Sequence, residues 1–283
     1  MGEWGGFTLV DAAVVLGVVV VVPLAIGGAW WRWAVAGVAV AAVLPLDRGV
    51  VAAVGVVPWL GLSTAHLVAR VLRAGPLLFW RRGDVVGVVA VAYAVVAAGA
   101  LGASRLGLRM FDIREPIVEL TSVHYLYAGT GALALAGAVR VPGRMAGVAV
   151  ALTAAAPPIV ALGFVTRQAL PQVGGAVLMA LGVWCTAALQ LREAVVGPTG
   201  EARRAPAGPR VLLGMSGLAV AVPMVLAVAW AAGQHGDVPH LDIAAMVPLH
   251  GMPNALGFTV GGLVARRLPG GLANDDEGVG GCG

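Results

Sequence analysis

From residue 7 to residue 265 the chain is nearly continuous apolar sequence, broken at intervals of about 20 residues by arginine, proline or glycine. A helix that crosses a bilayer needs roughly 20 mostly apolar residues. Runs near 7–27, 30–46, 49–72, 85–104, 116–138, 145–166, 170–191, 211–232 and 241–265 meet that length. The expected fold is therefore all-α, a polytopic transmembrane helix bundle of about nine spans. Composition agrees, because only 11% of residues are charged where a soluble domain carries about 25%. With 59% hydrophobic residues, 6% aromatics and a mean hydropathy of +0.92, the surface is suited to lipid tails and close helix contacts.

The second and third runs are separated only by Pro45, Leu46, Asp47 and Arg48, so they should form a tight helical hairpin. The first run has no preceding basic residue and no small-residue cleavage site after it, which reads as a retained span. The chain contains no lysine, and its 18 basic residues are all arginine, spread between the apolar runs. That distribution argues against nucleic acid as a partner despite a net charge of +4, and points to orientation instead. Alternating the spans places 13 arginines on one face, Arg32, Arg70, Arg73, Arg81, Arg82, Arg140, Arg144, Arg192, Arg203, Arg204, Arg210, Arg266 and Arg267, and only Arg48, Arg105, Arg109, Arg114 and Arg167 on the other. The arginine-rich face is expected to be cytoplasmic, with the N-terminus outside and the C-terminus inside. Residues 1–268 then form the membrane domain, with a cytoplasmic linker near 193–210, and the acidic, glycine-rich stretch 269–283 is expected to be a disordered tail. Cys185 and Cys282 make neither a disulfide framework nor a metal site by themselves.

Ionisable groups inside a span cost on the order of 2.5–3.5 kcal/mol on insertion scales, so depth singles out functional residues. The segment FDIREPIVELTSVHYLYAG, 111–129, concentrates them. Pro116 suits a helix start, which puts Glu115 at the end of the span, Glu119 a turn inside and His124 near mid-membrane. Glu115 and Glu119 share a face, whereas His124 is rotated roughly 140° from Glu119, so no direct contact between those two is expected. Tyr125 and Tyr127 add hydroxyls nearby. The competing structural reading pairs Glu115 with Arg114 or Arg109, packs the tyrosines in the core and satisfies His124 with a backbone carbonyl of the next helix.

The last run carries MVPLHGMPNALGFTVGG, 246–262. His250 and Asn254 share a face at i,i+4, at a depth matching that of His124, and Pro248 and Pro253 release the carbonyls of Ala244 and Leu249. A kinked helix with free carbonyls beside His and Asn reads as a cavity lining. Gly257 and Gly261 alone read as a packing face. Asp11 lies just inside the outer end of the first span. Asp242 reads as a helix N-cap and His66, near the cytoplasmic side, as structural.

The motifs HYLYAG at 124–129 and HGMPNALGF at 250–258 resemble those of the YndJ-like family of bacterial membrane proteins. The resemblance implies that His124, Tyr125, Gly129, His250, Asn254 and Gly257 occupy motif positions. The family pattern often has a second histidine two residues after the first, where this chain has Leu126. Schemes that need three motif histidines, a metal centre among them, fit this chain poorly.

Three functions compete. The first is a cofactor-independent, membrane-embedded enzyme carrying out isomerisation, cyclisation or epoxide opening on a lipophilic small molecule. In it Glu119, His124 and His250 are the catalytic acids and bases, and Glu115, Tyr125, Tyr127, Asn254 and Asp11 bind substrate. The second is a proton-coupled transporter using the same Glu and His residues as a relay, disfavoured by the lack of internal repeats and of acidic residues in the cytoplasmic half. The third makes His124 and His250 axial haem ligands, which a Soret band would reveal. The expected site holds no metal, and the absence of Walker and dinucleotide motifs suits an enzyme without cofactor.

Overall fold

A computed structural model describes residues 8–75, 82–197 and 206–268, so the tail 269–283 and the middle of the linker, 198–205, lie outside the described residues. The fold is all-helical, with no strand among the described residues. In chain order the rods are α1 Leu9–Ile26, α2 Trp30–Val43, α3 Val50–Ala74 and α4 Arg82–Arg105. Next comes α5, made of Ile117–His124, Tyr125–Gly131 and Ala132–Gly137. Then follow α6 Arg144–Thr166, α7 Ala169–Val196 and α8 Ala207–Gly233. The last rod, α9, runs from Ile243–Met246 through Val247–Gly251 and Pro253–Val260 to Gly261–Arg267.

Among the described residues, six of these, α1, α3, α4, α6, α7 and α8, are long and apolar enough to cross a membrane. The expected count of nine is not established by the helices themselves. α2 is apolar but has only 14 residues, fewer than a perpendicular crossing requires. α5 and α9 have the length, but their apolar character is diluted by Glu119, His124 and Thr130 in one and by His250 and Asn254 in the other. The hairpin between α2 and α3 forms as expected. Large apolar side chains are exposed along both of its helices, Val38 at 68%, Val51 at 74% and Leu72 at 76%. In water such a surface would be an aggregation face, and it matches lipid instead.

Local chemistry explains the helix starts. Thr8 caps α1 in a reciprocal box, its hydroxyl accepting from Asp11 N at 3.1 Å while the Asp11 carboxylate accepts from Thr8 N at 2.8 Å. Asp242 accepts from Ala245 N at 2.8 Å and starts α9, the N-cap role read from its position. α7 runs on to Val196 instead of stopping near 191, because Glu193 is buried in the bundle and held there.

Glycine sets how closely the rods approach. In the α6–α7 hairpin a Cβ on Gly182 would lie 2.7 Å from Thr153 Oγ1, and one on Gly175 would lie 2.7 Å from Val160 N, so the two backbones are nearly in contact. A second junction joins α1, α5 and α9. Each contains wide π-type turns, at Gly17–Val21, Tyr125–Gly131 and Val247–Val260, and these segments pack on one another. Gly131 sits against Thr259 of α9 and Val21 of α1, and Gly17 against Leu126. In α9 the two prolines, which lack an N–H, fall within π turns. Carbonyls in these turns find hydroxyls. Ser216 donates to Phe258 O at 2.8 Å, and the Thr130 hydroxyl is shared between Tyr125 O at 3.1 Å and Ala90 O at 3.0 Å.

Candidate functional site

His124 and His250 each lie seven residues beyond the first residue of their helices, Ile117 and Ile243. At a rise of about 1.5 Å per residue both are roughly 10 Å in. Their rings come together across the gap between α5 and α9, with centroids 6.4 Å apart and planes within 21° of parallel. At that separation the two rings form a loose, offset stack, within the range of aromatic contact. His124 is exposed and His250 half-buried.

Hydrogen bonding fixes the tautomer of each neutral ring. His124 Nδ1 is 2.8 Å from Leu120 O and His250 Nδ1 is 2.8 Å from Pro223 O of α8. A carbonyl oxygen only accepts, so each Nδ1 carries the proton and each Nε2 is left with a bare lone pair. Asn254 Nδ2 sits 3.3 Å from His250 Nδ1 but donates to His250 O at 2.7 Å, the shorter contact and the one consistent with that tautomer. His124 is thus satisfied by a carbonyl of its own helix, not of a neighbour.

The carboxylates form a separate polar group toward the start of α5. Glu119 pairs with Arg105 of α4 at 3.0 Å, and Arg105 also donates to Leu44 O at 3.0 Å, tying the α2–α3 hairpin to the site. Glu115 pairs at 3.5 Å with Arg48, not with Arg114 or Arg109, and its other oxygen accepts from Glu119 N at 3.2 Å. Consequently Glu119 is committed to a guanidinium and does not reach His124, the separation that helical rotation predicts.

Three expected substrate contacts have other partners. Asp11 is the capping acid of α1. Tyr127 donates to Ala13 O at 2.8 Å and so ties α5 to α1. Tyr125 is buried edge-on against Tyr93, ring centroids 5.3 Å apart. Tyr93, which donates to Ala154 O, has no counterpart among the sequence-predicted residues. A shallow apolar groove along α3, between Leu60 and Leu72, carries no ionisable group.

At the far end of the bundle lies a second polar node that sequence reading missed. Glu193 is fully buried, accepting from Arg266 Nη2 at 2.9 Å and from Arg140 N at 2.5 Å. Gln190, one turn earlier on α7, is also fully buried. Gln190 inside an apolar run was the available signal, whereas Arg266 looked like an ordinary helix-end charge. Among the described residues no group of three or more His, Cys, Asp or Glu converges to hold a metal ion.

No curated protein and no solved structure matches the chain. The match to the YndJ-like proteins covers residues 12–258, which takes in most of the π junction, the paired histidines and both motifs. The chain therefore belongs to the YndJ-like protein family.

Proposed function

We propose that this chain is an integral membrane enzyme that carries out cofactor-independent acid–base chemistry, isomerisation, cyclisation or epoxide opening, on a lipophilic small molecule. The observation that carries the reading is the pair of imidazoles stacked between α5 and α9, each with its Nδ1–H held by a carbonyl and its Nε2 bare. A fixed tautomer gives each ring one defined proton-accepting atom, the requirement for a general base that later returns its proton. Glu119 serves as a positioning residue, since Arg105 holds its carboxylate. In the orientation read from the arginines, the N-terminus is outside, the C-terminus is cytoplasmic and the histidine pair lies in the outer half of the bilayer.

Such chemistry leaves a recognisable mark. Cells expressing the wild-type chain are expected to accumulate a lipid-soluble compound isobaric with its precursor, or heavier by one water for epoxide opening. Cells expressing His124→Ala at equal membrane levels are expected to lack it. Comparative mass spectrometry of membrane extracts checks this, and identical profiles for the two would refute the reading.

The second reading, a proton-coupled transporter, gains from Glu193, because it supplies the buried acidic group at the cytoplasmic end that the sequence did not reveal. Transport would redistribute a compound across the membrane without making a new one, so the same extracts, separated by compartment, discriminate the two.

A further inference from the structure

The shallow apolar groove on α3 is a surface that the histidine chemistry does not use. Of the six long apolar rods, α3 is the least covered by the rest of the bundle, 22% buried against 28% or more in the others. The groove begins at Val57, ends at Leu72 and has a volume of about 670 Å³. At a rise of about 1.5 Å per residue it is roughly 22 Å long, more than the ~15 Å depth of hydrocarbon in one leaflet. Gly61, Ala65 and Ala69 recur at every fourth position along it, so small side chains share one face, and Thr64 is the single polar residue in its lining.

Charge distinguishes one end of this groove. Arg73 is exposed in the last turn of α3, and its Nε donates to Ala69 O at 3.0 Å. That bond holds the guanidinium at the groove's end, and its two Nη groups have no partner among the described residues. Arg32 is at the same end of the α2–α3 hairpin, because the neighbouring Trp33 meets His66 of α3 with ring centroids 5.0 Å apart. It lies exposed over the Trp31 ring. Arg70 is committed elsewhere, donating to Ile26 O at 2.6 Å with Asp84 of α4 nearby. The single acid among residues 30–74 is Asp47, in the turn at the opposite end.

We propose that the α3 groove seats an anionic phospholipid, with one acyl chain along Gly61, Ala65 and Ala69 and the phosphate on Arg73. The planar guanidinium presents paired N–H groups that match phosphate oxygens, and Arg32 adds positive charge at the same level. Arginines at a membrane surface favour anionic over zwitterionic headgroups. A second copy of the chain suits the small residues but not the charge. A two-fold axis along the membrane normal would bring Arg73 of each copy to the same end of the contact, like charge beside like.

The test titrates the full chain in detergent micelles with phosphatidylglycerol or phosphatidylcholine of identical acyl chains, and reads each bound lipid by native mass spectrometry. One phosphatidylglycerol is expected to bind about tenfold more tightly than phosphatidylcholine, and Arg73→Gln should cut that ratio about fivefold. Ala65→Leu, which fills the groove, should weaken both lipids and leave their ratio unchanged. Both positions are exposed, so melting temperatures should stay at the wild-type value. Arg109→Gln, an exposed arginine at the opposite end of the bundle, is the control and should leave the ratio as it is. Four results would each overturn the lipid assignment: equal affinities for the two lipids, a ratio that falls as far in Arg109→Gln as in Arg73→Gln, unaltered binding to Ala65→Leu, or a dimer of chains that Ala65→Leu splits.

Discussion

Replacing His250 by Ala is expected to lower turnover by about 10²–10⁴-fold, the range for loss of a positioned general acid or base. His124→Ala should give a loss of the same order, and the double variant should be no worse than the more damaging single one. Residues that act as one unit behave in this non-additive way. The two variants differ in stability. His250 links α9 to α8 through Pro223 O, so its removal also costs about 1 kcal/mol, the net value of a typical hydrogen bond. His124 bonds only to the carbonyl one turn back in its own helix. A steady-state assay on the compound identified from membrane extracts, run beside melting curves of the purified variants, separates the two effects. Additive losses would mean that the histidines act at independent sites.

Glu193→Ala is expected to be the most destabilising single substitution, at about 3–5 kcal/mol, because it strands the Arg266 guanidinium in the interior. The side chain of Glu193 is 0% exposed and that of Arg266 7%, so water cannot replace the lost partner. The pair joins α7 to the last turn of α9, and Arg140 N brings the end of the α5–α6 connection to the same carboxylate. The node is already under-satisfied. Arg266 Nε and Nη1 and both amide atoms of Gln190 are buried without a hydrogen-bond partner. Removing both charges together, as in Glu193→Leu with Arg266→Met, should therefore recover most of the loss, and Gln190→Leu should be neutral or stabilising. Denaturation in mild detergent, followed by tryptophan fluorescence, measures all of these. A Glu193→Ala protein as stable as the wild type would show that the pair is solvated.

The rods themselves were legible, because each is an apolar run closed by Arg, Pro or Gly, and local sequence is enough to find those. Thus 49–72 appears as Val50–Ala74 and 145–166 as Arg144–Thr166. The depth match of His124 and His250 was legible too, since it follows from counting residues from a helix start. Their facing one another was not, because it depends on the meeting of α1, α5 and α9 through Gly17, Gly131 and Thr259, a contact among segments more than 100 residues apart. For the same reason Arg105 and Arg48 looked like orientation charges. Which carboxylate an arginine meets is decided by the packing of α4 and the α2–α3 hairpin on α5, which no local pattern encodes. The prolines of α9 signalled an irregular helix, and both fall in π turns. The hydroxyl of Ser216 takes up the Phe258 carbonyl within that wide-turn segment.

That His124 and His250 stack with their Nδ1 atoms protonated and their Nε2 atoms bare is tested by ¹⁵N NMR of histidine-labelled protein in nanodiscs. Single substitutions at positions 124 and 250 assign the two rings. The account predicts that both are in the Nδ1–H tautomer at neutral pH, and that substitution of either ring shifts the Nε2 signal of the other. An Nε2–H tautomer or an imidazolium at either position, or two rings whose signals are indifferent to each other, would contradict it.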